Sequence, residues 1–251
     1  VAVDPVWLTL GAIFAGQLVK GVAGFGSALV AVPLLAASLP PSTAILLVMC
    51  SDLVSGVWLT WSARRHIAPT LVTAMLLTLF PGQWLGTSLL TGLPVATVRA
   101  AIALLVGGYG LSLVIRPVRE GRGELVDLPE EPRPMYAAGA AIGGIAGVLS
   151  GLAGVPGPAL DWFLRRHFVP EVTRAHLLAV LLPASAALIV VLATRDAVDD
   201  AGWDLVPWTV PASVAGGALG ARLAGRLSPA ATARAVGLLL VAAAWALMLR
   251  R

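Results

Sequence analysis

The sequence holds one lysine, Lys20, one cysteine, Cys50, and few charges: only 12% of its 251 residues are Asp, Glu, Lys or Arg. Soluble domains carry about a quarter charged residues, so the shortage argues against an aqueous fold. A single cysteine excludes an intrachain disulfide and spells no metal cluster. There is no HExxH, no GxSxG and no carboxylate pair at helical spacing inside an apolar run, so the common hydrolase signatures are missing. An intramembrane protease would have to use Asp52 with Asp161, and that pair lacks the usual sequence surroundings. Despite a net charge of +4, no basic stretch has the continuity that tracking a nucleic-acid backbone requires. No basic region precedes the first apolar run, so a cleavable signal peptide is not expected.

What the chain has instead is apolar length. It is 58% hydrophobic, with a mean hydropathy of +0.90. Apolar segments fall at 6–39, 41–63, 67–91, 95–115, 135–165, 171–194, 203–226 and 230–249. Runs of roughly 20 apolar residues suffice to cross a bilayer core. The expected fold is therefore an all-α polytopic membrane protein. Arginines cluster in the short polar loops, as they do on the cytoplasmic side of membrane proteins.

One polar linker, 117–134, separates a first membrane unit, 1–116, from a second, 135–251. The two units match each other in order. "GVAGFGSAL" at 21–29 answers "GLAGVPGPAL" at 151–160, and "LPPSTAILL" at 39–47 answers "VPEVTRAHLL" at 169–178. "PGQWLG" at 81–86 answers "AGGALG" at 215–220, and "LPVATVRA" at 93–100 answers "SPAATARA" at 228–235. Four matches in one order indicate a duplication. The Gly82/Gly86 and Gly216/Gly220 pairs have the spacing of close helix contacts in membranes.

The first segment of each unit is too long for one crossing. As a single helix, 6–39 would extend roughly 51 Å. Broken at its glycines it becomes two pieces of about 21–22 Å, each too short to span, which predicts a pair that dips in and returns. The second break is expected at Gly151–Pro158. Each unit then crosses three times, so the repeats are inverted. "ARRH" at 63–66, the linker, "RRH" at 165–167 and "RLAGR" at 222–226 all fall on the cytoplasmic side, with both termini and "RDAVDD" at 195–200 outside.

A helix restarting near Gly26 leaves N–H groups unpaired at depth, which favours an anion. Lys20 would stand at the deepest point, where a charge costs at least about 2.5 kcal/mol. The candidate substrate residues are thus Gln17, Lys20, Gly24, Phe25, Gly26 and Ser27, with Gly154 and Gly157 from the second break. Lys20 also admits two other roles, as partner of a buried carboxylate or as a snorkelling side chain. Asp52 and Asp161 are the candidates for proton coupling, and Asp161 is also a candidate counter-ion of Lys20 or a dipole partner in the first turn of its helix. Thr173, Arg174 and His176 read as interfacial.

At "KGVAGFGSALVAVPLL" and "GLAGVPGPAL" the chain resembles the TauE/SafE family of sulfite and organosulfonate exporters, over nearly its whole length. The resemblance implies an inner-membrane carrier of small sulfur-containing anions. The chain departs from the pattern where Pro156 and Pro158 replace glycines of the second break. The expected partners are a small anion and the lipid bilayer, with no cofactor, no metal and no nucleic acid; homo-oligomerisation stays open. An anion channel and a membrane-embedded hydrolase are the alternative functions.

Overall fold

A computed structural model describes residues 5–115, 133–223 and 229–249. Among these there is no strand. The helices are α1 (Pro5–Ala23), α2 (Ser27–Ala36), α3 (Pro41–Ala63), α4 (Pro69–Gly92), α5 (Val95–Ile115), α6 (Arg133–Ala153), α7 (Gly157–His167), α8 (Pro170–Thr194), α9 (Asp200–Asp204), α10 (Val206–Leu223) and α11 (Pro229–Leu249). Four apolar stretches, Pro41–His66, Val95–Ile115, Met135–Ala153 and Glu171–Thr194, are long enough to cross a bilayer. The chain is an all-α polytopic membrane protein. Most of the linker 117–134 lies outside the described residues.

Both expected breaks are present, but their arms are unequal. α1 has 19 residues and α2 has 10, or about 28 Å and 15 Å. α6 has 21 residues and α7 has 11. The expectation of two equal arms of about 21–22 Å is corrected: the first arm is about twice the length of the second. The cause is local. α1 ends where Gly24 adopts φ +86°, and α6 ends where Gly154 adopts φ +70°, a left-handed conformation that suits glycine. In each case the glycine N–H closes the last turn, Gly24 onto the carbonyl of Lys20 and Gly154 onto that of Ser150, both at 2.7 Å. This is the single-bond left-handed helix stop. The expected segment 203–226 is also divided, into α9 and α10, with Asp199 capping α9 through the N–H of Gly202.

Small residues set the outer packing. A Cβ on Gly216 or Gly220 of α10 would strike the carbonyls of Phe14 and Leu18 in α1. One on Gly82 or Gly86 of α4 would strike those of Gly144 and Val148 in α6. Both pairs run parallel, and both use the glycine spacing read from the sequence. The centre is antiparallel: Gly56 of α3 faces Leu182 of α8, and Thr60 donates to the Leu178 carbonyl at 3.3 Å. α5 and α11 are antiparallel as well, with Gly107 facing Ala244 and Gly110 facing Leu240.

These directions gather Arg64–His66 and Arg165–His167 at one end of the bundle. Asp196, Asp199, Asp200 and Asp204 lie at the other, where Gly202 packs on Thr43 at the start of α3.

Candidate functional site

The two breaks meet. Residues 25–29 and 154–157 line one cavity together with Met49 and Asp52 of α3, Ser150 of α6, and Leu181, Ala184 and Ser185 of α8. The cavity is small, about 20 Å³, and open at its mouth. Phe25 of the first break lies against Gly157 of the second.

Asp52 is the twelfth of the 23 residues of α3, half-way along the helix. Three donors converge on one of its oxygens. Lys20 Nζ lies 2.8 Å from Asp52 Oδ1, Gln17 Nε2 donates to it at 2.9 Å, and Ser27 Oγ donates at 2.7 Å. Lys20 also donates to Ser55 Oγ at 3.0 Å and to the Asp52 carbonyl at 3.3 Å. Lys20 and Gln17 are only 2% and 1% exposed. An ammonium buried alone would be costly, and an ion pair whose remaining donors are hydrogen-bonded offsets that cost. The roles differ in consequence: Asp52 and Ser27 line the cavity, while Lys20 and Gln17 stand behind the carboxylate.

Asp161 takes another part. It is the fifth residue of α7, past the first turn, because Gly157 and Pro158 open that helix. Its placement as a first-turn dipole partner is corrected. Its candidacy as counter-ion of Lys20 is corrected too: Asp161 Oδ1 pairs with Arg165 Nε at 2.6 Å, and Tyr109 of α5 donates to Oδ2 at 3.1 Å. Phe25 ties this cluster to the cavity. Its ring meets Tyr109 edge-on at 6.5 Å between centroids, and the Arg165 guanidinium lies 5.9 Å above it.

The interfacial reading of 173–176 is corrected as well. Thr173 and His176 are buried inside the protein. His176 Nε2 accepts the N–H of Ala68, next to α4, at 3.1 Å, and its ring stacks on Phe168. Nδ1 lies 2.8 Å from the Val172 carbonyl, so the neutral imidazole with Nδ1 protonated satisfies both neighbours. Arg174 lies over the first break, where a Cβ on Gly24 would meet its Cγ, Cδ and Nε within 2.9 Å. A side chain at 24 would therefore have to push Arg174 aside, in addition to the cost of its positive φ.

The family model described as Sulfite exporter TauE/SafE matches residues 8–247. The chain belongs to that family. It is therefore a multi-pass protein of a transporter family for sulfite and related sulfur anions. Comparison with curated proteins and with solved structures gives no significant match. In this TauE/SafE chain the cavity brings together Phe25, Gly26, Ser27, Gly154 and Gly157, with Lys20, Gln17 and Asp52 forming one network beside them. Sequence reasoning missed Ser150, Ser185, Gln83 and Tyr109, which are unremarkable in an apolar helix until packing is known.

Proposed function

We propose that the protein is a proton-coupled secondary carrier that moves sulfite or a small organosulfonate across the inner membrane, with its site between two inverted repeats, 1–116 and 135–251, joined by the cytoplasmic linker 117–134. The carrying observation is the cavity at the meeting of the breaks, with Asp52 on its wall at mid-length of α3 and Lys20 paired to it from behind. The repeat reading draws support from the helix directions. The counterparts α3 and α8 run antiparallel, as do α5 and α11, as inverted repeats require.

The site is electrically balanced, because the carboxylate of Asp52 answers the ammonium of Lys20. A sulfur oxyanion entering the cavity competes with that carboxylate. Protonation of Asp52 removes the competitor and leaves the field of Lys20 to the ligand. Anion and proton therefore favour each other's binding, and linkage makes the effect reciprocal. Asp52 carries this coupling better than Asp161, which is engaged by Arg165 and Tyr109 and is not part of the cavity wall. Asp161 serves instead to hold Arg165 and Tyr109 around Phe25.

The test is sulfite flux in proteoliposomes under an imposed proton gradient. A carrier saturates with sulfite and builds a sulfite gradient at the expense of the proton gradient. Flux that never saturates and follows voltage alone identifies a channel. Turnover of an ester or peptide by the purified protein identifies a hydrolase.

A further inference from the structure

Among the hydroxyl groups of the cavity side chains, one proton is unspent. Ser150 is completely buried and lines the cavity. Its Oγ accepts a hydrogen bond from Gln83 Nε2 at 2.9 Å. Among the described residues its own hydroxyl proton has no acceptor. Serines in apolar helices ordinarily return that proton to the carbonyl one turn back, as Ser185 does to Leu181 at 2.9 Å. Ser27 spends its proton on Asp52 and Ser51 on the Val48 carbonyl. Ser150 does neither.

Gln83 fixes this state. Its other amide proton goes to the Ala184 carbonyl at 2.9 Å, which sets the orientation of the amide, since the reverse would place two carbonyl oxygens together. With Gln83 occupying one lone pair of Ser150, the hydroxyl keeps a free proton to donate. The Oε1 of Gln83 is itself buried without a partner, a cost typical of a group held for something other than stability.

The position of Ser150 gives this meaning. Gly24 closes its helix on the carbonyl of Lys20, and Gly154 closes its helix on that of Ser150. Ser150 therefore stands in the second half where Lys20 stands in the first. One half sets a charged donor behind the Asp52 carboxylate of the cavity wall, and the other sets a neutral donor on the wall itself. We propose that Ser150, positioned by Gln83, donates a hydrogen bond to an oxygen of the bound oxyanion. The ligand class is a small anion with at least two oxygens on one centre, such as a sulfite or sulfonate head group, one oxygen facing each half. This rests on reading the cavity as the anion site.

Calorimetric titration of sulfite into the detergent-purified full chain tests it. Ser150→Ala weakens binding about 10- to 100-fold, the range of a hydrogen bond to a charged group, and lowers the unfolding temperature modestly, because Gln83 Nε2 loses an acceptor. Ser150→Thr, which keeps the hydroxyl, restores most of the affinity. Gln83→Met weakens binding in the parent but adds little in the Ser150→Ala background, because positioning matters only while there is a hydroxyl to position. If Ser150→Ala does not fold, Ser150→Cys retains the volume with a weak donor and shows the same loss. Parent-like sulfite affinity in the Ser150 variants, with Lys20→Ala still impaired, overturns the inference alone. Parent-like affinity in both Ser150→Ala and Lys20→Ala overturns the anion-site reading and this inference with it.

Discussion

Lys20 and Asp52, separated by 32 positions in the chain, form an ion pair at 2.8 Å inside the protein. Gln17 and Ser27 donate to the same carboxylate oxygen, so the pair ties α1, α2 and α3 together at the first break. Removing one partner strands the other in a dry site, and breaking a buried pair in this way costs about 3–5 kcal/mol. Lys20→Ala and Asp52→Ala should therefore each lower the unfolding temperature in detergent. The double variant should be less destabilised than the sum of the two. A double-mutant cycle with no coupling, where about 0.5–3 kcal/mol is expected for contacting residues, contradicts the pair.

The same pair predicts how binding depends on pH. Ionised Asp52 competes with the anion for Lys20, so anion affinity should be higher in acid than in alkaline solution. Asp52→Asn keeps the shape and removes the competitor, so its affinity should stay high and lose that pH dependence. Because sulfite itself titrates near neutrality, a fully ionised sulfonate such as methanesulfonate is the cleaner probe. Asp161→Asn should retain the pH dependence. If instead Asp161→Asn abolishes it and Asp52→Asn does not, the coupling role belongs to Asp161.

Gly24 and Gly26 both have positive φ, but their surroundings differ. A Cβ at Gly26 finds its nearest neighbours at 3.6 Å and 3.8 Å, so Gly26→Ala meets mainly the left-handed backbone penalty, about 1–2 kcal/mol. A Cβ at Gly24 also collides with Arg174. Gly24→Ala should thus be the more damaging of the two in thermal unfolding. Adding Arg174→Ala should recover part of the Gly24→Ala loss and none of the Gly26→Ala loss. Equal damage at both glycines, unaffected by Arg174→Ala, would show that the arginine does not bear on the break.

Much of this arrangement is legible in the sequence, and the rest is hidden for identifiable reasons. The glycine clusters announce both breaks, because left-handed backbone leaves glycine as the natural choice. They do not announce where in the membrane the breaks fall, which depends on where Gly24 and Gly154 stop their helices rather than on segment midpoints. Lys20 and Asp52 are conspicuous as charges in apolar runs, but their mutual distance is a tertiary fact. Charge alone leaves Asp161 equally eligible; Arg165, one turn further along α7, takes it instead. Ser150 and Gln83 carry no signal in isolation. Only setting Gly21 beside Gly151 places Ser150 opposite Lys20, and only packing shows that its proton is free.

The topology can be tested without transport. α3 ends near Arg64, α8 begins beside it, and α9 packs at the opposite end of α3, near Thr43. Ser62 and Ala201 are both exposed and lie at opposite ends of the bundle. In a Cys50→Ser background, Ser62→Cys should react with a membrane-impermeant maleimide only from the cytoplasmic side, where the arginines of 64–65 and 165–166 are expected to stay. Ala201→Cys should react only from outside, beside the aspartates of 196–204. Inverted membrane vesicles and intact cells give the two readouts. Labelling of both positions from one side is incompatible with three crossings per half and would require the helix directions to be redrawn.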